Sequence, residues 1–189
     1  MSEVEYSIIP VNSLIENDQL ESFTCGTEEE ELKINSFLKD NSKTFDIRGI
    51  SKTFLYMRDK ELVGFFSLCT SETPVTKKFK KAKLKNRTFN LPISPTIFPS
   101  IELTYFAIKH SEQNKKIGTN MMYAILEMLY SNVYLYVGFI MVTLESRNVA
   151  TEFYEKMGFA HHKTQSGNDR LMALTITDIE AILGMNTYG

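Results

Sequence analysis

Residues 101–129, I-E-L-T-Y-F-A-I-K-H-S-E-Q-N-K-K-I-G-T-N-M-M-Y-A-I-L-E-M-L, constrain the fold of this chain more than any other stretch. Apolar and β-branched residues from Ile101 to Ile108 read as a strand, and Gly118, Met121, Met122, Ile125, Met128 and Leu129 then recur at helical spacing. A strand that passes into a helix through the polar turn Gln113-Asn114-Lys115-Lys116-Ile117-Gly118-Thr119 brings unpaired backbone N–H groups, a positive helix end and two lysines together. That combination suits phosphate oxygens.

The rest of the chain reads as further strands and helices around this one. Tyr6 to Val11 is expected to be a strand, with Asn12 or Ser13 capping a short helix behind it. Thr27 is placed to cap a helix that opens on the acidic run Glu28 to Glu31, which suits its positive end. Ser51 to Arg58 and Glu61 to Thr70 form a hairpin through Asp59-Lys60. Tyr134 to Leu144 is almost wholly apolar, as in a strand covered on both faces, and a short helix from Asn148 ends at Gly158. Arg170 to Thr175 and Thr177 to Leu183 complete the pattern as strand and helix, the helix capped by Thr177 or Asp178.

Composition narrows the class. The 189 residues, 43% hydrophobic, suffice for one sizeable core, so a single domain over 1–189 is expected. Net charge is only −2, yet the run from Lys77 to Arg87 holds six lysines, one arginine and no acid. This run opens an insert, 75–99, whose Pro92, Pro95 and Pro99 exclude a central strand or helix and suggest an extended path. Two cysteines, Cys25 and Cys69, are too few for a disulfide framework, and the three histidines add no metal-ligand spacing, so no metal is expected. The N-terminus has no signal pattern and no apolar run is long enough to span a bilayer, which points to a cytoplasmic protein without a membrane partner.

The turn at Gln113 to Gly118 resembles the Q/R-x-x-G-x-G/A turn of the GNAT N-acetyltransferases, with Lys116 standing where the family has its first glycine. A second stretch is more specific: the GNAT pattern N-x-x-A-x-x-F-Y-x-x-x-G-F is matched by Asn148, Ala150 (one position early), Phe153, Tyr154, Gly158 and Phe159. Within the superfamily, Phe23, Cys25, Gly26, Ile34, Asn35, Phe37 and Leu38 resemble the opening of the toxin branch that acetylates aminoacyl-tRNA, with four extra residues before Ile34. The resemblance implies an α+β fold, the GNAT acyl-CoA N-acyltransferase fold, with a mixed sheet of six or seven strands splayed at its centre and about four helices.

It implies acetyl-CoA as co-substrate and acetyl transfer to a primary amine, with the α-amine of aminoacyl-tRNA the sharper reading and a small amine, a protein N-terminus or a silent acyl-CoA-binding module the alternatives. Asn114, Lys115, Lys116, Ile117, Gly118 and Thr119, with Gln113, would hold the pyrophosphate, and Asn148 the pantetheine arm. Main-chain groups of Phe106 and Ile108 would polarise the thioester carbonyl, and Tyr154 would be the general acid, since a phenol with a pKa of about 10 keeps its proton until a thiolate needs it. The general base is open between Glu102, Glu145 and His110. Lys77, Lys78, Lys80 and Lys81 are the candidate tRNA contacts, because interleaved charge and apolar residues suit a phosphate backbone. An antitoxin partner follows from the toxin resemblance, and a homodimer is compatible with it.

Overall fold

The computed structural model describes residues 5–14, 18–84, 96–163 and 169–185. In chain order, β1 (Tyr6–Pro10) leads through α1 (Asp18–Glu21), α2 (Glu29–Ser36) and α3 (Ser42–Ile47) to the hairpin of β2 (Lys52–Arg58) and β3 (Glu61–Pro74). There follow α4 (Lys77–Lys83), β4 (Ile97–Ile108), α5 (Ile117–Met128), β5 (Met141–Arg147), α6 (Asn148–Lys156), β6 (Ala160–His161), β7 (Asp169–Thr175) and α7 (Ile176–Ile182). The strands form a mixed seven-stranded sheet in the order β1-β2-β3-β4-β5-β7-β6. Its parallel step, β4 to β5, is three residues long, Ser100 to Glu102 against Met141 to Thr143.

The chain divides into two compact units. The first comprises 1–69 and 103–122. Its core gathers Leu20, Phe23, Cys25, Phe37, Leu38, Leu55, Leu62, Phe65 and Ala107, each large apolar side chain worth about 1.5–3 kcal/mol when fully buried. Between α2 and α3 the helix widens into a π turn at Phe37–Asn41, and this turn lays the Phe37 ring flat on Tyr105 of β4, 3.7 Å between centroids. The β2–β3 hairpin closes as expected through Asp59-Lys60, with Asp59 in the left-handed region at φ 54°.

The second unit comprises 70–102 and 123–189. Here β5 pairs antiparallel with β7 along seven residues, Met141↔Thr175 to Arg147↔Asp169, and Met141 to Leu144 are buried. Val75, Phe79, Leu84, Phe98, Met141 and Ala173 make its apolar cluster, and a buried hydroxyl pair, Thr73 with Ser100 at 2.7 Å, joins β3 to β4.

Several local expectations are revised. The short helix after β1 is a 3-10 turn, Val11–Ser13, with Pro10 at its cap position, and the Asn12 side chain instead donates to the Asp46 carboxylate at 2.8 Å. The cap of α2 is Glu28 rather than Thr27: the Glu28 side chain accepts from the N3 amide and Glu31 reaches back to the Glu28 N–H. The cap of α7 is Thr175, boxed with Asp178 in the same reciprocal way. In the 75–99 insert, Lys77–Lys83 is helical and not extended; Thr76 caps it by accepting from the Phe79 N–H, and lysines in its last turn suit the negative helix end. The prolines that suggested an extended path lie beyond this helix, and 85–95, with Lys85, Arg87, Pro92 and Pro95, fall outside the described residues.

The strand expected at Tyr134 to Leu144 begins only at Met141 and runs on to Arg147. Residues 129–133 prolong α5 as a π turn, Tyr134 stacks on Tyr130, and Leu135, Tyr136 and Val137 are exposed, so apolar character there did not mean burial. Helical segments exceed four because the 29–47 stretch is broken by the π turn and the insert supplies α4.

Gly158 has a left-handed φ of 92°, and a Cβ there would meet Ile182 and Leu174 at 3.3 Å. Gly158→Ala is expected to lower unfolding stability by about 1–2 kcal/mol, read as a lower urea midpoint at unchanged slope.

Candidate active site

The polar turn is built in the first unit by hydrogen bonds that begin where β4 stops. Lys109 N–H donates to Val63 O at 2.9 Å, and His110 N–H to Thr24 O at 2.8 Å. A 3-10 turn, His110–Glu112, follows, then extended Gln113 and two left-handed residues, Asn114 at φ 62° and Lys116 at φ 63°, before α5 starts at buried Ile117. Lys116 therefore adopts the conformation for which glycine is the usual residue, at a cost of about 1–2 kcal/mol. Among the described residues, the backbone N–H groups of Asn114, Lys115 and Lys116 find no protein acceptor. With the first amides of α5, which a helix cannot satisfy internally, they make a run of open donors of the kind that suits an anion.

Gln113 faces inward. Its amide donates to Cys25 O at 2.7 Å and Ile108 O at 3.2 Å, pinning the turn to the Thr24-Cys25-Gly26 loop. That loop is held in turn by the buried Asn35 of α2, which accepts from Cys25 N–H at 2.9 Å and donates to Gly26 O at 3.0 Å. A Cβ at Gly26 would collide with the Glu31 carboxylate. Of the residues that carried the resemblance at the chain's opening, Cys25, Gly26 and Asn35 are thus bonded to the turn or to the loop that pins it, while Phe23, Phe37 and Leu38 lie in the core.

Sequence reasoning missed the charges beneath it. Glu112, only 6% exposed, is held by Arg58 of β2 at 2.6 Å and by Lys115 at 3.3 Å. Arg58 also meets Glu61 at 3.3 Å, and Glu61 meets Lys109 at 2.9 Å. The Arg58 guanidinium, then Lys115, hold the Glu112 carboxyl below the usual carboxylate range against the cost of burial, while Lys109 and then Arg58 do the same for Glu61. Nothing in the spacing of Arg58 and Glu112, 54 positions apart, signals this pair.

Within β4, strand alternation sends the N–H groups of Phe106 and Ile108 to the edge away from β3, since that of Lys109 points to Val63 of β3. The Ile108 carbonyl already accepts from Gln113. Of the candidate bases, His110 and Glu145 are exposed and Glu102 is half-buried.

Tyr154 lies in the second unit, 8% exposed, and its position follows from how α6 ends. Gly158 N–H returns to Glu155 O at 2.9 Å and Phe159 N–H to Tyr154 O at 3.0 Å, the pair of bonds of a Schellman motif. The motif's usual apolar contact is here Phe159 edge-on to Tyr154, centroids 5.8 Å apart. The spacing F-Y-x-x-x-G-F is therefore a device for fixing a tyrosine. Burial pushes the Tyr154 hydroxyl well above its ordinary pKa, with nearby Arg147 pulling weakly the other way. Asn148 is the first residue of α6 and not its cap; Arg147 holds the cap position, and the Asn148 side chain is exposed without a partner among the described residues.

The lysines of α4 divide into two sets. Lys80 lies over the Phe98 ring at 5.6 Å and Lys83 pairs with Asp178 at 2.9 Å. Lys77, Lys78 and Lys81 are exposed, with no partner among the described residues. No cluster of three or more metal-ligating side chains occurs among the described residues, and no helix there is long and apolar enough to cross a membrane. Cys25 is buried, Cys69 half-buried, and neither is in a disulfide.

Residues 97–175 match the family model described as an acetyltransferase (GNAT) domain. The whole chain superposes on a bacterial toxin with a TM-score of 0.76 at 15% identity, covering 100% of this chain and 99% of that one. AtaT complexed with acetyl-methionyl-tRNAfMet gives a TM-score of 0.75 at 21% identity, over 95% and 99% of the two chains. The fold is that of the GNAT acetyltransferases. A mutant AtaT bound to the C-terminus of the antitoxin AtaR and acetyl-CoA matches at a TM-score of 0.71 and 19% identity, over 97% and 100%. No curated protein sequence matches the chain. The GNAT resemblance read from the turn and from Asn148 to Phe159 is borne out by the family model and the fold.

Because the Glu112 pKa is lowered in the folded state, its contribution to stability is present above the unfolded carboxylate value of about 4.3 and is lost as pH falls through the folded value. Glu112→Gln is expected to flatten the acid limb of a plot of unfolding free energy against pH below about pH 4.5; an unchanged limb would show that the carboxylate is not held as described.

Proposed function

We propose that the protein is an acetyl-CoA-dependent N-acetyltransferase whose acceptor is the α-amine of an aminoacyl-tRNA, with the whole chain acting as one catalytic domain. The observation that carries the reading is the turn at Gln113 to Thr119: left-handed Asn114 and Lys116 leave three backbone amides and the start of α5 open to an anion, as the pyrophosphate of acetyl-CoA requires. AtaT, which shares the fold, is seen both with acetyl-CoA and with acetyl-methionyl-tRNAfMet.

In this reading the amine attacks the thioester carbonyl, oxygen charge develops towards the Phe106 and Ile108 amides, and the departing thiolate takes the Tyr154 proton. A thiol has a reference pKa of about 8.5 and a phenol about 10, and burial raises Tyr154 further, so the donor keeps its proton throughout the working pH range. An aminoacyl α-amine is already partly neutral near pH 7, which fits the absence of an evident base. The cationic surface left for tRNA is Lys77, Lys78 and Lys81, while Lys80 serves packing against Phe98. An antitoxin and a second copy of the chain are the protein partners this reading carries.

Calorimetric titration with acetyl-CoA should show binding below millimolar concentration, and its absence would sink the reading. Tyr154→Phe is expected to lower turnover roughly 10²-fold with cofactor affinity nearly unchanged. Replacing Lys77, Lys78 and Lys81 together by Gln should weaken acetylation of charged tRNA and reduce the slope of log affinity against log salt by about 2 to 3. If acetylation of charged tRNA and its salt slope stay at the parent's values, or if a free small amine is acetylated better than charged tRNA, the acceptor is another amine.

A further inference from the structure

Five charged side chains run in a row beneath the turn: Lys109, Glu61, Arg58, Glu112 and Lys115, linked at 2.9, 3.3, 2.6 and 3.3 Å. Three cations face two carboxylates, so the row carries one surplus positive charge. Lys115 is its exposed end, with a side chain 56% accessible, and it belongs to the turn itself. The buried end of its pair is the difficulty. A buried carboxylate does not release a cation cheaply, because the charge left behind is uncompensated. A phosphate arriving at the open amides of Asn114 to Lys116 would compete with Glu112 for Lys115, which lies on the same turn.

The geometry answers this by giving each Glu112 oxygen its own cation: Oε1 takes Lys115, and Oε2 takes Arg58 at the shorter distance. Arg58 is anchored independently by Glu61, which Lys109 holds from the other side. We infer that Arg58 is a positioning residue for the cofactor's phosphates, keeping the Glu112 carboxylate neutralised so that Lys115 can leave it for the anion. The inference rests on the reading of the turn as the acetyl-CoA phosphate site. Lys116, exposed and without a described partner, reaches an anion without this exchange.

The test is titration of acetyl-CoA into the full chain and five variants. Arg58→Met should weaken binding about tenfold, because Lys115 becomes the sole counter-ion of a buried carboxylate, and Lys115→Gln should weaken it by a similar factor. The double variant of Arg58→Met and Lys115→Gln should bind no more weakly than either single one. Adding Glu112→Gln to Arg58→Met should restore binding to at least the parent's level, because no buried carboxylate is then left to hold Lys115. Additive losses in the first double variant, or no recovery in the second, overturn the inference while leaving the phosphate site standing. Should Arg58→Met fail to fold, Glu112→Gln alone decides: it should tighten binding about twofold to fivefold, and unchanged or weaker binding overturns the proposal. A parent that binds no acetyl-CoA removes the underlying reading, and the inference with it.

Discussion

The first unit hangs on the hydrogen bond from the Gln113 amide to the Cys25 carbonyl. Gln113 opens the polar turn, and Cys25 lies in a loop that has no regular structure of its own; one 2.7 Å contact, backed by His110 N–H to Thr24 O, makes each the template of the other. Asn35 completes the arrangement from α2, so that loop, turn and helix share a single buried polar junction. Such junctions are costly when half-formed, because an unmatched amide in the interior loses its water without replacement. The donor surface of the turn is consequently set by atoms far from it in sequence.

The second unit fixes its tyrosine by local means instead. The Schellman pair at Gly158 and Phe159 needs only residues within one helical turn of Tyr154, plus the small residue that a left-handed φ and the nearby Ile182 and Leu174 demand. That is why the pattern was readable from the chain alone. Periodicity likewise revealed β4, α5 and the β2–β3 hairpin, whose spacing is set by nearest neighbours in sequence.

What the chain did not reveal depends on distant partners. The Arg58–Glu112 pair joins residues 54 apart, and neither has a neighbour that marks it. The run from Tyr134 misled because apolar side chains there sit on an exposed loop, with Phe139 buried and Tyr136 86% exposed. The prolines beyond Lys77–Lys83 suggest an extended path for the whole insert, whereas Thr76 and buried Phe79 and Leu84 make this stretch a helix. Cap residues slipped by one to three positions, to Glu28 for α2 and to Thr175 for α7, where a reciprocal box with a carboxylate three residues on decides the start of the helix.

Lys116 has a consequence for the cost of ordering the turn. A glycine there would relax the left-handed backbone, but it would also bring to the unfolded chain a residue with many more backbone states to lose. The lysine exchanges that entropy for strain held in the folded state, so the cost of the left-handed turn is carried by the native backbone and not by the unfolded chain.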